Sequence, residues 1–285
     1  MMEKKYYLET NALYSIRTIN ESHLENSFTS VLAIFELISG IKEINFAKRK
    51  SILNSIRALK LHVDWRMPEE MLFSSFSVLN DFKFTDFRQE ALGRLIKLIS
   101  NSDSIDEVFA ADQRDRPKMG LDYFINLDDQ YNLNFVSATV TGNKNLKLAF
   151  ETPDHEPLVL NNKAYDFSSH EAMKHLFTTE PSINRGFTIL AFANRFLTPA
   201  VMDAGISEEI LYNSYNGYAD KFIDLYAART NHYTLQKTTP QTNDFTDLLH
   251  LLYLSDWKDI KIISNDGLYQ NICPDQVLQI ESLKN

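Results

Sequence analysis

The sequence predicts an α/β fold in which a short, mostly parallel sheet is assembled from the two ends of the chain. Three observations predict it. Tyr6-Tyr7-Leu8 at the front and Ile260-Lys261-Ile262-Ile263 at the back are short apolar runs of strand length. Each run leads into a polar exit, Glu9-Thr10-Asn11 in one case and Ser264-Asn265-Asp266 in the other. Between them the hydrophobic pattern is predominantly helical. Short apolar strands at both ends pair in one sheet if the ends close on each other. Residues 1–60 and 240–285 are then expected to form the core, with 61–239 a large, mainly helical elaboration packed on it.

The elements follow in order. Tyr6 to Leu8 is the first strand, Thr10-Asn11 its turn, and Ala12 to Ile19 opens a helix. Phe28 to Ile41 reads as one apolar helix closed near Gly40, with Glu36 its single charged residue. A lone carboxylate in such a helix needs a partner, and a metal ion is one such partner. From Asn45 to Ser100 the spacing of Ile52, Ile56 and Leu59, and of Leu92, Leu95, Ile96 and Ile99, is helical. Pro68-Glu69-Glu70 is a helix start. Ala111 to Lys118, rich in charge and including Arg114 and Arg116, reads as an exposed loop. Asn132 to Leu148 fits strand or loop. Ser168 to Phe177, Ile183 to Phe196 and Ser207 to Arg229 read as helices, and Thr238 to Thr242 as a polar linker.

Composition narrows the function. The 285 residues are 44% hydrophobic and 12% aromatic, ample for a large core. A net charge of −9 excludes a surface that traps polyanions everywhere, so a nucleic-acid partner needs a local basic patch or screening metal ions. Cys273 is the only cysteine, which excludes an intramolecular disulfide and a cysteine-based zinc cluster. The seven histidines show no HExxH spacing. The opening residues, Met1 to Glu9, lack the apolar core of a signal peptide, and no uncharged run approaches the ~20 residues of a membrane span. The expectation is a cytoplasmic protein that does not engage a membrane.

The carboxylates carry the chemistry. Asp244 and Asp247 are three residues apart, so on a helix they share a face near its positive end. Asp266 leaves the back strand. Carboxylates that converge at strand ends suit a hard divalent cation such as Mg²⁺ or Mn²⁺, and hence phosphate chemistry. Each has a plainer reading: Asp244 with Asn243 as a helix cap, Asp266 as a turn residue, Glu9 as a solvated strand end.

Four segments in order resemble the PIN-domain family of metal-dependent nucleases. They are Tyr6-Tyr7-Leu8-Glu9-Thr10-Asn11, Ser30-Val31-Leu32-Ala33-Ile34-Phe35-Glu36-Leu37, Asn243-Asp244-Phe245-Thr246-Asp247 and Ile262-Ile263-Ser264-Asn265-Asp266. The resemblance implies a PIN-like fold and a metal-dependent endonuclease, RNA being the expected substrate. Glu9, Glu36, Asp247 and Asp266 would hold Mg²⁺ or Mn²⁺, with Asn11 and Asp244 in support. The family's first acid is normally Asp. Glu9 adds a methylene, which moves the oxygens by ~1.5 Å. The alternative is therefore a catalytically weakened PIN-like protein that binds nucleic acid or protein.

Secondary features remain open on sequence grounds. Lys48, Arg49, Lys50 and Arg57, with Lys42 and Lys60, fit either a phosphate path or a solvated helix face. Tyr212, Tyr215 and Tyr218 have helical spacing and fit either base stacking or packing. His250 fits a place near the metal or a structural role. A neutralising protein partner or a second copy of the chain would dock on the helical middle, in a toxin-like or defence role by analogy.

Overall fold

The computed structural model describes residues 5–115, 117–151, 158–160, 163–166, 168–241, 243–256 and 259–284. Residues 1–4, Arg116 and Thr242, which entered the readings above, lie outside the described residues. The strands are β1 (Tyr6–Leu8), β2 (Ser27–Ser30), β3 (His62–Asp64), β4 (Leu158–Leu160), β5 (Lys163–Tyr165), β6 (Lys261–Ile263) and β7 (Val277–Leu278). The α-helices begin with α1 (Thr10–Leu13), α2 (Glu21–Glu25), α3 (Val31–Ser39), α4 (Phe46–Ala58), α5 (Pro68–Phe73), α6 (Arg88–Asn101), α7 (Ile105–Asp115) and α8 (Leu121–Glu151). They continue with α9 (His170–Thr179), α10 (Pro181–Ala193), α11 (Pro199–Asp203), α12 (Glu208–Asn213), α13 (Asp220–Gln236), α14 (Asp244–Leu249) and α15 (Gly267–Ile272). Among them no helix is long and apolar enough to cross a membrane.

The chain divides into two units. The first comprises Met1–Ser74, Phe82–Tyr131 and Leu249–Asn285, the second Ser75–Asp81 and Asn132–Leu248. The first unit is α/β, and its sheet runs in the order β3-β2-β1-β6-β7 with every pairing parallel. Tyr7 lies opposite Phe28 on one side and Ile262 on the other, so the front and back strands do pair. A parallel sheet is covered on both faces. Accordingly Tyr7, Phe28, Ile262 and Ile263 are all buried.

Helix α3 is the central cover. Of its nine residues only Glu36 is not buried. Each aliphatic side chain so removed from water contributes about 1.5–3 kcal/mol. Ser30 caps its start by accepting the Ala33 N–H at 3.2 Å. Arg49 of α4 closes its end, donating to the Glu36 carbonyl at 2.5 Å and the Leu37 carbonyl at 2.9 Å. Gly40 permits this, because the guanidinium fills the space a Cβ would take.

Several expected elements differ. Phe28 to Ser30 is strand rather than helix, since its buried polar groups are tied across the sheet: Thr29 donates to the Leu8 carbonyl at 2.7 Å. Helix α7 runs through Ala111–Asp115, so that part of the expected loop is helical. Its Asp112 is buried and accepts from Arg94 and the Leu121 N–H, each at 2.7 Å. Asn132 to Leu148 is neither strand nor loop but part of α8. The opening helix is brief, a single turn in α1.

Among its described residues the second unit is mainly helical, with one antiparallel strand pair, β4–β5. Its centre is aromatic: Phe135 stacks on Phe245 at 5.3 Å, and Phe192, Phe222 and Tyr226 meet at 5.1–5.4 Å. Offset and edge-on ring pairs add about 0.5–1.5 kcal/mol beyond their buried area. Tyr212, Tyr215 and Tyr218 do not share a helix face. Helix α12 ends at Asn213, and Gly217 at φ 82° turns the chain before α13.

Candidate active site at the strand ends

Because all five strands run the same way, their C-terminal ends lie along one edge of the sheet. The chain leaves β1 towards β2 and β3, and returns to fill the other side with β6 and β7. The gap between β1 and β6 is thus a topological switch point, the place where open α/β sheets bind ligands. Glu9 follows β1 there, and Ser264, Asn265 and Asp266 follow β6.

Glu9 is 3% exposed. Its Oε2 accepts the Asn11 N–H at 2.7 Å, capping α1, while its buried Oε1 has no hydrogen-bond partner among the described residues. Asn11 thus holds Glu9 through its backbone N–H. Burial pushes the Glu9 carboxyl up to about 7 and the negative Glu36 adds to it, against the opposing pull of His250, the Asn11 N–H and the Ser264 hydroxyl. Asp266 caps α15: its Oδ1 accepts the Leu268 N–H at 2.6 Å, and its own N–H donates to Ser264 Oγ at 2.9 Å.

Glu36 has protein partners. Its Oε2 accepts from the Thr10 hydroxyl and from His250 Nε2, the latter at 2.7 Å. His250 is 0% exposed, and its Nδ1 meets the Tyr7 hydroxyl, which in turn meets Ser30 Oγ at 2.7 Å. One direction of donation satisfies the whole chain. Ser30 O–H donates to Tyr7, Tyr7 O–H to His250 Nδ1, and His250 Nε2–H to the Glu36 carboxylate. The Ser30 oxygen still accepts the Ala33 N–H. The Tyr7 hydroxyl is held well above its ordinary range, chiefly by burial.

Asp128 on α8 is a further acid of this unit. It accepts from Ser39 Oγ at 3.1 Å, and burial followed by the charge of Glu36 raises it to about 6. Nothing in the sequence marks it, because its partners lie far away along the chain. Tyr7, Ser30, Thr10 and Ser264 also escaped the sequence reading as site residues. For Ser30 and Ser264 the available signal was a hydroxyl at or just past the C-terminal end of a parallel strand.

Asp244 and Asp247 belong to the second unit. Asp244, 4% exposed, accepts from the Tyr233 hydroxyl and from the Gln241 N–H at 2.7 Å, with Arg229 at 3.8 Å. Asp247 accepts from Asn243 Nδ2 at 2.8 Å. Among the basic residues, Arg49 caps α3, and Lys50 donates to the Ser102 carbonyl at 2.6 Å. Lys48 lies 4.6 Å over the Tyr14 ring, and Arg57 is exposed. Among the described residues no group of three or more His, Cys, Asp or Glu side chains is set to hold a metal ion.

Comparison with family models, with curated proteins and with solved structures finds no match for this chain.

Proposed function

We propose that the first unit is a PIN-like, metal-dependent endonuclease acting on RNA, with its site at the C-terminal ends of β1 and β6. One observation carries the reading. Three carboxylates, Glu9, Glu36 and Asp266, belong to the unit whose strand ends form the switch point, each with one oxygen held by a protein donor, and Glu9 Oε1 is buried without a well-formed hydrogen bond among the described residues. A buried carboxyl oxygen left without a donor, as Glu9 Oε1 is, costs free energy that a cation would recover. These three acids would hold the ion, an oxygen-only donor set suited to Mg²⁺ or Mn²⁺.

When bound, such an ion neutralises phosphate charge and acidifies the attacking water. The chain's own part is positional. The Asn11 N–H fixes Glu9, the Leu268 N–H fixes Asp266, and Thr10 with His250 fixes Glu36. No nucleophilic side chain is needed, in keeping with a single cysteine that is buried.

The test is calorimetric titration of Mn²⁺ into the protein and its Asp266→Asn and Glu9→Gln variants, with cleavage of a fluorescent single-stranded RNA on the same samples. Binding and cleavage should both collapse in the variants. Intact binding in both variants would overturn the site, and intact RNA with wild-type protein would overturn the activity.

A second reading, a PIN-like binding module with a weakened metal site, is favoured by the engagement of Glu36 with His250 and Thr10. Here Glu9→Asp is the informative variant. Cleavage gained from a silent wild type supports the module, and an already active wild type removes it.

A further inference from the structure

A groove of about 710 Å³ runs between α4, β3 and α6 in the first unit, and contains none of Glu9, Glu36 and Asp266. Its floor is aliphatic: Ile34, Leu53, Ile56 and Leu61 are all buried beneath it. Trp65, 39% exposed, forms part of the wall where the chain leaves the edge strand β3. Arg57, Lys60 and Lys97 stand on its rim. Lys50, elsewhere on α4, is engaged by the Ser102 carbonyl and by Asp103 at 3.6 Å. The three rim side chains, by contrast, have no hydrogen bond or ion pair among the described residues.

Two backbone features beside the groove carry a local conformational cost. Gly93 lies inside the fourteen-residue helix α6, where glycine costs about 1 kcal/mol relative to alanine. It lines the groove, and a Cβ built on it would meet nothing within 4 Å. The missing side chain therefore leaves room rather than relieving a clash. Lys60 adopts φ 51° at the end of α4, a left-handed position that glycine takes without strain. There the chain carries a cation instead.

An apolar cleft of this size with a few charged groups in its lining has the make-up of a small-molecule site. Its free cations call for an anion, and its aliphatic floor calls for a hydrocarbon body. We propose that this groove binds a small amphiphile with a carboxylate or phosphate head and an aliphatic chain, the head among Arg57, Lys60 and Lys97 and the chain over Leu53 and Ile56.

The test titrates dodecanoate and dodecyl phosphate below their micelle concentrations, and dodecanol below its solubility limit, into the full chain by calorimetry and by Trp65 emission. Trp65→Phe assigns the emission change. Saturable one-site binding of an anionic probe is expected, with dodecanol at least tenfold weaker. The preferred anion identifies the head group. Gly93→Leu should abolish binding while the helix gains about 1 kcal/mol of propensity, so its melting temperature is maintained or raised. Arg57→Glu and Lys97→Glu, both on the surface, should each weaken binding about tenfold, which is about 1.4 kcal/mol. Unchanged binding in Gly93→Leu, equal binding of dodecanol, or no saturable binding of either anion would overturn the proposal.

Discussion

Asp244 and Glu9 are almost equally buried, 4% and 3% exposed, yet the two units treat them in opposite ways. Around Asp244 the helical unit supplies a backbone N–H, a tyrosine hydroxyl and a nearby guanidinium. Around Glu9 the first unit supplies the Asn11 N–H, His250 and the Ser264 hydroxyl, but these do not offset burial and the nearby Glu36, and Oε1 has no well-formed hydrogen bond among the described residues. The first carboxyl is compensated and serves the fold. The second is held at a free-energy cost, which a bound cation would offset under the proposed function. The difference shows that burial of an acid says little about its role until its donors are counted.

Four perturbations break or sharpen that contrast. The largest effect belongs to His250→Leu, which strands Glu36 and the Tyr7 hydroxyl together. It should destabilise the fold by about 4 kcal/mol, the sum of a charged and a neutral buried hydrogen bond, measured by urea unfolding. Asp244→Ala comes next, at about 3 kcal/mol, through loss of its charge-assisted bonds. Titration of Mn²⁺ into this variant should match wild type, and a large loss of affinity would place Asp244 among the acids of the proposed metal site instead.

Glu9→Gln should do the reverse of Asp244→Ala. The Glu9 carboxyl is raised from 4.5 to about 7, so folding favours its protonated form. Wild type has that contribution in full below about pH 4.5 and loses it as pH rises through about 7. The amide keeps its acceptor for the Asn11 N–H without the charge. In metal-free buffer the variant should therefore match wild type at about pH 4 and exceed it at about pH 8, by roughly 3 kcal/mol or less. Denaturant midpoints across that range check the sign. Asp128→Asn should show the same sign with the smallest effect. Its advantage in melting temperature should emerge as pH rises through about 6.

The contrast also explains what could be read from the sequence. Strands β1 and β6 were legible because each is a short apolar run between polar breaks, and Asp266 stood visibly at the exit of one. Strand β2 was not, because Ser27, Thr29 and Ser30 are polar and run without a break into α3. Ser27 is satisfied by the His23 carbonyl four residues back, but Thr29 and Ser30 are satisfied by the Leu8 carbonyl and Tyr7, partners that no local window contains. Strand β3, His62–Asp64, offers one aliphatic residue and lies at the sheet edge. Helix α8 was hidden by its Val, Thr and Asn content, which local propensity assigns elsewhere. In the site, Glu36 announced itself as a charge in an apolar helix. The identity of its partner, 214 residues away in His250, depends on closure of the sheet.

Ser30 belongs to two structures at once. Its oxygen accepts the N–H that starts α3, and its hydrogen begins the series of bonds that ends on Glu36. Alanine at this position removes both, whereas threonine or cysteine alters both. Positions 7, 30 and 250 are therefore expected to be non-additive, with the double variant Tyr7→Phe/Ser30→Ala less damaging than the two single losses combined. A small serine, inconspicuous by size and charge, becomes one of the residues this chain can change least freely.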